Sequence, residues 1–204
     1  GYHSSCALWT DGTSVFYEKN KSFLLPLQYR GKISHEIENL MAAFALCHHY
    51  GIDATTFLQA FDTFSKPPHR IEFVRRVNGV DFINDSKGTN IDAVIRAVQT
   101  IEGTLVLIAG GIDKGTPFTP WIKNFAGKVK GICAIGEAAK KIERELSHAF
   151  PVARFDTLDE AVHAAAQMSC EGDTVLLSPG CSSFDMFKDY VHRGEAFKQS
   201  VADL

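Results

Sequence analysis

The sequence lacks the features that define membrane-spanning and disulfide-bonded proteins. Its longest strongly apolar stretch, Thr104 to Ile112, is far shorter than the roughly 18–20 residues that span a bilayer. No basic segment followed by an apolar run opens the chain, so no secretory signal is predicted. The five cysteines are scattered and include no CxxC pair, which favours reduced thiols over a disulfide framework. We therefore expect a cytoplasmic protein with no membrane partner.

The sequence also has no excess of charge of one sign and no complete nucleotide or metal motif. The 21 Lys and Arg residues against 24 Asp and Glu residues give a net charge of -3, so nothing favours a nucleic-acid partner. Neither GxxxxGK[ST] nor GxGxxG occurs. The segment His35–Asn39 is similar to HExxH, but Asn39 replaces the second histidine that zinc requires. We predict no metal site in this chain.

The composition is that of a folded protein, with 45% hydrophobic and 22% charged residues in 204 residues, or about 1.4 domains of average size. Two short runs, 14–17 and 23–25, predict a hairpin, and apolar residues at helical spacing from Ile37 to His48 predict a helix with Ser34 as its N-cap. A second helix is predicted from about Asp53 to Phe64. Pro67 and Pro68 then end it, which divides the chain into domains 1–66 and 67–204.

Beyond the two prolines, short apolar strands alternate with helices. Asn78-Gly79 predicts a tight hairpin, and strands are expected near 104–109, 131–135, 151–155 and 174–177. A last helical stretch from Phe184 to Leu204 is predicted to break near Arg193-Gly194. This alternation predicts an α/β fold with a mostly parallel sheet and helices on both faces.

Three polar loops follow predicted strands of this sheet, at 84–90, 110–114 and 178–183. Ligands bind beyond the carboxyl ends of parallel strands, and Lys87 and Lys114 would supply positive charge there, so we expect an anionic small molecule. The alternatives are that each Gly-Gly is only a turn, each lysine only solvated, and Asp85 only a helix N-cap. Cys181 has no recognisable catalytic partners and is interpreted as structural.

These loops, in their order and spacing, resemble the Mur ligase family, and the resemblance extends from about Lys32 to Leu204. It is nearest to members that add D-glutamate to UDP-N-acetylmuramoyl-L-alanine, a peptidoglycan precursor, with ATP as the energy source. The matching segments are Pro68-His69-Arg70-Ile71-Glu72, Asn84-Asp-Ser-Lys-Gly-Thr-Asn90, Gly110-Gly-Ile-Asp-Lys114, and Ser178-Pro-Gly-Cys-Ser-Ser-Phe-Asp-Met-Phe-Lys188 with His192-Arg-Gly-Glu-Ala-Phe197.

The resemblance implies a three-domain ligase with an N-terminal UDP-binding domain, a central ATPase domain and a Rossmann-like C-terminal domain. Residues 1–66 then correspond to the last part of the central domain, a hairpin plus two helices, and 67–204 to the whole D-glutamate-binding domain. We expect a fragment that lacks the P-loop, is inactive alone and binds no cofactor tightly. The intact enzyme would use ATP and Mg2+, with D-glutamate and UDP-N-acetylmuramoyl-L-alanine as partners, and would be a monomer.

The resemblance also implies roles for individual residues. Arg70 and Lys87 would offset charge during phosphoryl transfer. The other implied contacts are Asn39 with adenine, His69 and Arg70 with the nucleotide, Asp85 near the ribose, Thr89 with substrate, and Lys114, Ser183, Phe184 and Tyr190 with D-glutamate. No residue is an evident general base. The sequence departs from the family pattern at Glu36, where the family has asparagine, and at Ile33, where it has glycine; a carboxylate cannot donate to adenine as an amide does.

Two other interpretations remain open from the sequence. The runner-up is a related Mur ligase or a folylpolyglutamate synthase-like amide ligase, which shares the alternating architecture but differs in the amino acid held. A non-catalytic binding module with a degenerate pocket is the third.

Overall fold

The computed structural model describes residues 7–18, 21–30 and 35–204. The chain divides into two compact units, Gly1–Ser65 and Lys66–Leu204. Ile33 and the predicted N-cap Ser34 lie outside the described residues. Assignment of the two units to particular ligase domains stays a prediction.

The smaller unit contains an antiparallel sheet of order β1-β2-β3 and two α-helices. The predicted hairpin is present, with its second strand beginning at Lys21, and the second helix is capped by the Asp53 side chain, which accepts from the Thr56 amide at 2.8 Å. The elements are β1 (Leu8–Thr10), β2 (Ser14–Tyr17), β3 (Lys21–Leu24), a 3-10 turn (Leu27–Tyr29), α1 (His35–His49) and α2 (Ala54–Asp62).

Aromatic packing forms the core of the smaller unit. The buried Phe44 ring of α1 makes edge contacts with the rings of Tyr17, Phe23 and Phe57, at centroid distances of 4.8, 4.7 and 5.3 Å. Such edge-to-face pairs join both sheet and helices around one side chain. The predicted periodicity of α1 therefore places its apolar face in this core.

The larger unit contains a six-stranded sheet of order β4-β5-β9-β6-β7-β8, in which only the pair β4 and β5 is antiparallel. Asn78 and Gly79 form the predicted turn between that pair, with φ of 50° and 78°, the left-handed values that a tight hairpin needs. The strands are β4 (Glu72–Val77), β5 (Val80–Asn84), β6 (Leu105–Gly110), β7 (Val129–Ile135), β8 (Val152–Phe155) and β9 (Thr174–Leu177).

Helices cover both faces of this sheet, as predicted. Alternate residues of β6 enter different cores: Leu105 and Leu107 pack in one cluster, whereas Val106 and Ile108 pack in the other. Both faces are buried, and the strand is therefore apolar at every position. The helices are α3 (Ile91–Thr100), α4 (Pro120–Phe125), α5 (Ala139–Leu146), α6 (Leu158–Met168) and α7 (Tyr190–Ala202). Within the described residues, none of the helices is both long and apolar enough to cross a membrane.

Three local predictions were wrong or incomplete. The last helix starts only at Tyr190, capped by the Asp189 side chain, and continues through Arg193-Gly194 without a break. Gly194 is needed there because a Cβ would overlap the His69 ring. The short helix α4 was not predicted.

The N-cap of α3 is Asn90, whose side chain accepts from the Ala93 amide at 2.8 Å. The alternative that Asp85 serves only as a helix cap is therefore wrong. Its carboxyl group instead accepts hydrogen bonds from Ser178, after β9, and from the Ile71 amide, before β4.

Candidate functional site

The three polar loops meet at one edge of the larger sheet, as the sequence predicts. Because β9 lies between β5 and β6, the loop after β9 contacts both of its neighbours. The Gly180 amide donates to the Gly88 carbonyl at 2.8 Å, and Lys114 Nζ donates to the Thr89 carbonyl at 2.7 Å. We call this region the carboxyl-edge site; it comprises residues 69–71, 84–90, 110–114 and 178–190.

Two glycines permit the close approach of these loops. Gly111 has φ of 129°, and a Cβ there would overlap the carbonyl oxygen of Ser182 on the neighbouring loop. A Cβ on Gly88 would overlap the carboxyl group of Asp85. Glycine is required at both positions because the backbones and side chains leave no room for another residue.

Asp85 links separate segments of the site through hydrogen bonds. Its carboxyl group is 6% exposed and accepts from Ser178 Oγ at 2.7 Å and from the Ile71 amide at 3.3 Å. Burial raises the pKa of Asp85 to about 6, even though these hydrogen bonds and the nearby Arg70 charge act in the opposite direction. The role predicted for Asp85 beside a ribose stays a prediction, since its carboxyl oxygens are engaged within the protein.

The segment before β4 holds two residues in left-handed conformations. His69 has φ of 64° and Ile71 has φ of 48°, which for a β-branched residue is a strained backbone. The Asp85 carboxyl group holds the Ile71 amide, and the Lys87 amide donates to the His69 carbonyl at 3.0 Å. The exposed Arg70 lies between these two fixed residues.

The His69 ring lies under the site and is 2% exposed. Asn84 Nδ2 lies 2.9 Å from His69 Nδ1, within hydrogen-bonding distance. The other ring nitrogen is Nε2. That nitrogen lies 3.5 Å from a carboxyl oxygen of Glu195. The ring is therefore used to anchor the segment on α7, and its predicted contact with a nucleotide stays a prediction.

Three cations of the site lack an acidic partner. Within the described residues, no ion pair involves Arg70, Lys87 or Lys114. Lys87 Nζ instead lies 4.0 Å from the centroid of the Tyr190 ring, a cation–π geometry that leaves the ammonium group able to bind an anion. The sequence prediction of a positively charged edge is thus consistent with their arrangement.

The remaining predicted residues of the site differ in exposure. Ser183 is 3% exposed, and its carbonyl accepts from the Phe187 amide at 2.8 Å, so its position is defined by a turn. Tyr190 is half-buried under Lys87. Phe184 is 68% exposed and makes no ring contact among the described residues. Whether these groups wall a pocket for an amino acid stays a prediction.

Asn39 belongs to the smaller unit. It is exposed on α1, close in sequence to the half-buried Glu36. Its predicted contact with adenine stays a prediction, and so does the effect of Glu36 on that contact. The residues of the carboxyl-edge site all belong to the larger unit.

Two residues in or beside the site were not assigned a role from sequence. Arg193 is 1% exposed and donates to the loops after β5 and β9. Asp185 accepts from the Glu137 amide at 2.9 Å and lies so close to Gly136 that a Cβ there would overlap it. Both lie in motifs that were recognised, but their partners are distant in sequence, so no local pattern indicates their roles.

Cysteine and metal chemistry do not explain the site. Burial raises the pKa of the Cys181 thiol to about 12, which keeps it protonated at neutral pH and agrees with a structural role. In the part of the chain that the structure describes, no group of three His, Cys, Asp or Glu side chains could hold a metal ion.

The fold and the site together define an α/β protein with a mostly parallel sheet whose carboxyl edge carries Arg70, Lys87 and Lys114. Residues 69–181, more than half of the chain, match the family model described as "Mur ligase, glutamate ligase domain". The chain therefore belongs to the Mur ligase family.

Two relatives with similar sequences are named as D-glutamate ligases. The chain is 56% identical over 201 residues to the UDP-N-acetylmuramoylalanine--D-glutamate ligase of Protochlamydia amoebophila, covering 98% of this chain and 45% of that protein. It is 47% identical over 175 residues to the protein of the same name from Thermoanaerobacter sp. strain X514, covering 83% of this chain and 38% of that protein. The chain thus spans less than half the length of these relatives.

A solved structure shares the fold at low identity. The bifunctional folylpolyglutamate synthase/dihydrofolate synthase from Yersinia pestis CO92 aligns with a TM-score of 0.67 and 17% identity, over 97% of this chain and 45% of that protein. At such identity the likeness concerns the fold alone, so it does not favour the folylpolyglutamate interpretation.

Proposed function

We propose that this chain is the amino-acid-binding part of a longer ATP-dependent ligase that joins D-glutamate to UDP-N-acetylmuramoyl-L-alanine. The observation that carries the proposal is the 56% identity to a D-glutamate ligase over 98% of the chain. The unpaired Arg70, Lys87 and Lys114 at one sheet edge support it, because every substrate of this reaction is an anion.

The proposed reaction has two steps. The carboxylate of the alanyl group attacks the terminal phosphorus of ATP, which forms an acyl phosphate and releases ADP. The D-glutamate amine then attacks the acyl carbon; a C–N bond forms, the bond from carbon to the phosphate oxygen breaks, and phosphate leaves with the electron pair. The amine loses its proton to the surroundings, since no residue of the chain is assigned as a general base.

The chain would contribute charge and orientation to these steps. Arg70 and Lys87 would offset negative charge on the phosphoryl group, since both are cationic and neither has an acidic partner among the described residues. Lys114 and Ser183 would bind carboxylates of D-glutamate and orient its amine. Orientation of a bound nucleophile lowers the entropic part of the barrier.

The cationic side chains of the carboxyl-edge site support binding of the phosphate groups of a nucleotide. Arg70 and Lys87 would hold phosphate oxygens, and the positive φ at His69 and Ile71 fixes the Arg70 backbone between them. No metal-binding group is found among the described residues. We therefore propose no ligand for the Mg2+ expected with ATP among the described residues of this chain.

A monomeric state and a cytoplasmic location complete the proposal. The five scattered cysteines favour a reducing compartment. Light scattering of the full-length protein measures its oligomeric state.

The full-length protein encoded by the gene that contains this chain tests the substrate assignment. Ligation is followed by ADP release and by the product mass, with D-glutamate, L-glutamate and other amino acids offered separately. Among the amino acids offered, we expect only D-glutamate to give product with the full-length protein. We expect no product from the 204-residue chain by itself. A preference for another amino acid would contradict D-glutamate, and ligation by the chain alone would contradict the fragment interpretation.

Lys114→Met in the full-length protein tests the binding site. Loss of a charge-assisted hydrogen bond is expected to raise the KM for D-glutamate by about 10- to 100-fold. The matched control is Lys123→Met, an exposed lysine on α4, which is expected to leave the KM unchanged. An unchanged KM in Lys114→Met would remove Lys114 from the site.

A further inference from the structure

Arg193 is a buried cation without a buried anion. Its side chain is 1% exposed, in the first half of α7. No ion pair involves Arg193 among the described residues, and burial lowers its pKa to about 10. Burying a guanidinium group is unfavourable unless its hydrogen bonds are made elsewhere.

All the described hydrogen bonds of the Arg193 guanidinium go to two loops. Nε lies 3.0 Å from Ser86 Oγ, and Nη2 donates to the Ser86 carbonyl at 2.9 Å. Nη1 and Nη2 both donate to the Cys181 carbonyl at 3.3 Å. The planar fork of arginine thus joins the loop after β5 to the loop after β9 with donors held in one plane, whereas the three donors of a lysine ammonium group rotate about a single bond.

The two partners of Arg193 lie next to residues that face the substrate in the proposed function. Ser86 immediately precedes Lys87, and Cys181 lies two residues before Ser183. Ser86 Oγ also donates to the Tyr190 carbonyl at 2.7 Å, and the Tyr190 ring lies under Lys87 Nζ. The Lys87 loop is therefore attached to the start of α7 through both Ser86 and Tyr190.

An apolar side chain of similar volume would remove the desolvation penalty of a buried arginine, and such replacements often stabilise proteins. It would also leave the buried carbonyl groups of Ser86 and Cys181 without these donors. The arginine is therefore best explained by the joining of the two loops.

We propose that Arg193 is a positioning residue that fixes the Lys87 loop and the Ser183 loop relative to each other, so that Ser183 binds one dicarboxylic amino acid while Lys87 faces the phosphoryl group that the amino acid displaces. The inference rests on the proposed function for the identity of that substrate. The coupling of the loops themselves depends only on the contacts of Ser86 and Cys181 with Arg193.

Hydrogen exchange of the 204-residue chain tests the coupling. In Arg193→Lys, which retains the charge but not the fork, amides of both 84–90 and 178–188 are expected to exchange about 10-fold faster or more, while β7 exchanges as before. Arg96→Lys, on the exposed face of α3, is the control. Faster exchange in one loop alone, or in neither, would overturn the coupling.

Steady-state kinetics of the full-length protein test the consequence for the substrate. Arg193→Lys is expected to raise the KM for D-glutamate by about 10-fold or more. A merely structural defect would reduce the amount of active enzyme, which lowers kcat and leaves this KM unchanged. An unchanged KM therefore overturns the inference, whereas an inactive wild-type protein overturns the proposed function instead.

A second variant, Arg193→Gln, tests the inference if Arg193→Lys does not fold. Arg193→Gln retains donors for one loop at a time. If Arg193→Lys does not fold, loosening of both loops and a raised KM in Arg193→Gln support the inference, and native exchange with a native KM overturns it.

Discussion

The carboxyl ends of the strands of the larger sheet form its carboxyl edge, and their amino ends form what we call its amino edge. These two edges differ in how their charged groups are paired. At the amino edge, the buried Asp173 accepts hydrogen bonds from Lys130 Nζ at 2.6 Å, from the Cys170 amide at 2.7 Å and from Thr104 Oγ1. These contacts tie together the starts of three strands. At the carboxyl edge, Arg193 is buried without an acidic partner among the described residues, and the pKa of Asp85 is raised.

Under the proposed function, this difference separates stability at one edge of the sheet from binding at the other. At the amino ends of the strands, Asp173 and Lys130 neutralise each other's charge. At the carboxyl ends, the described residues include cations without an ion pair and a strained backbone. Unfavourable features of this kind persist where a function requires them, because a site that satisfied its own charges would have none left for a ligand. The amino edge thus provides an internal reference for every test of the carboxyl edge.

The largest expected contrast concerns glycines. Gly111→Ala, at the carboxyl edge, combines an unfavourable φ with overlap of the Ser182 carbonyl, and is expected to destabilise the chain by about 2–5 kcal/mol. Gly172→Ala, at the amino edge, also has a positive φ, of 90°, but open space around its Cβ, and is expected to cost about 1–2 kcal/mol. Urea unfolding measures both; equal losses would show that loop contact contributes nothing.

The next contrast concerns pH. The pKa of Asp85 is raised to about 6, above its value in the unfolded chain, so the folded protein binds this proton more tightly. The stability contributed by neutral Asp85 is complete below about pH 4 and is lost as the pH rises to about 6, a loss of roughly 3 kcal/mol. Asp85→Asn is expected to remove that loss in urea unfolding at several pH values.

Asp173 should show the opposite sign. Burial alone would raise its pKa, but hydrogen bonds from Lys130, Thr104 and the Cys170 amide lower it below its ordinary value. Its stabilising contribution is therefore present above about pH 4 and is lost as the pH falls through the lowered pKa. Asp173→Asn should flatten stability at acid pH only. A change in the pH 4–6 range in this variant would contradict the assignment to Asp85.

The smallest contrast concerns lysines. Lys130→Met removes an ion pair with a buried carboxylate and is expected to cost about 1 kcal/mol. Lys114→Met removes a lysine that contacts only a backbone carbonyl among the described residues, so its effect on stability should lie within about 0.5 kcal/mol. Thermal unfolding of the two variants side by side checks the order, and a larger loss for Lys114→Met would contradict the separation of the two edges.

Local patterns predicted most of the elements but not their ends. The Asn78-Gly79 turn and the run 104–109 were recognised because turn geometry and burial on both faces act over a few residues. The break predicted at Arg193-Gly194 was wrong because glycine was interpreted as a helix breaker. Glycine is required at position 194 because the His69 ring, which lies 125 positions earlier in the sequence, packs against it.

The sequence by itself determined the alternation of strands and helices, the polar loops at the strand ends and the family resemblance, because each is encoded in neighbouring residues. Only the tertiary structure decided that β9 lies between β5 and β6 and that Arg193 joins Ser86 to Cys181. Strand order and buried hydrogen bonds depend on groups far apart in the chain, and their energies exist only once the core has brought those groups together.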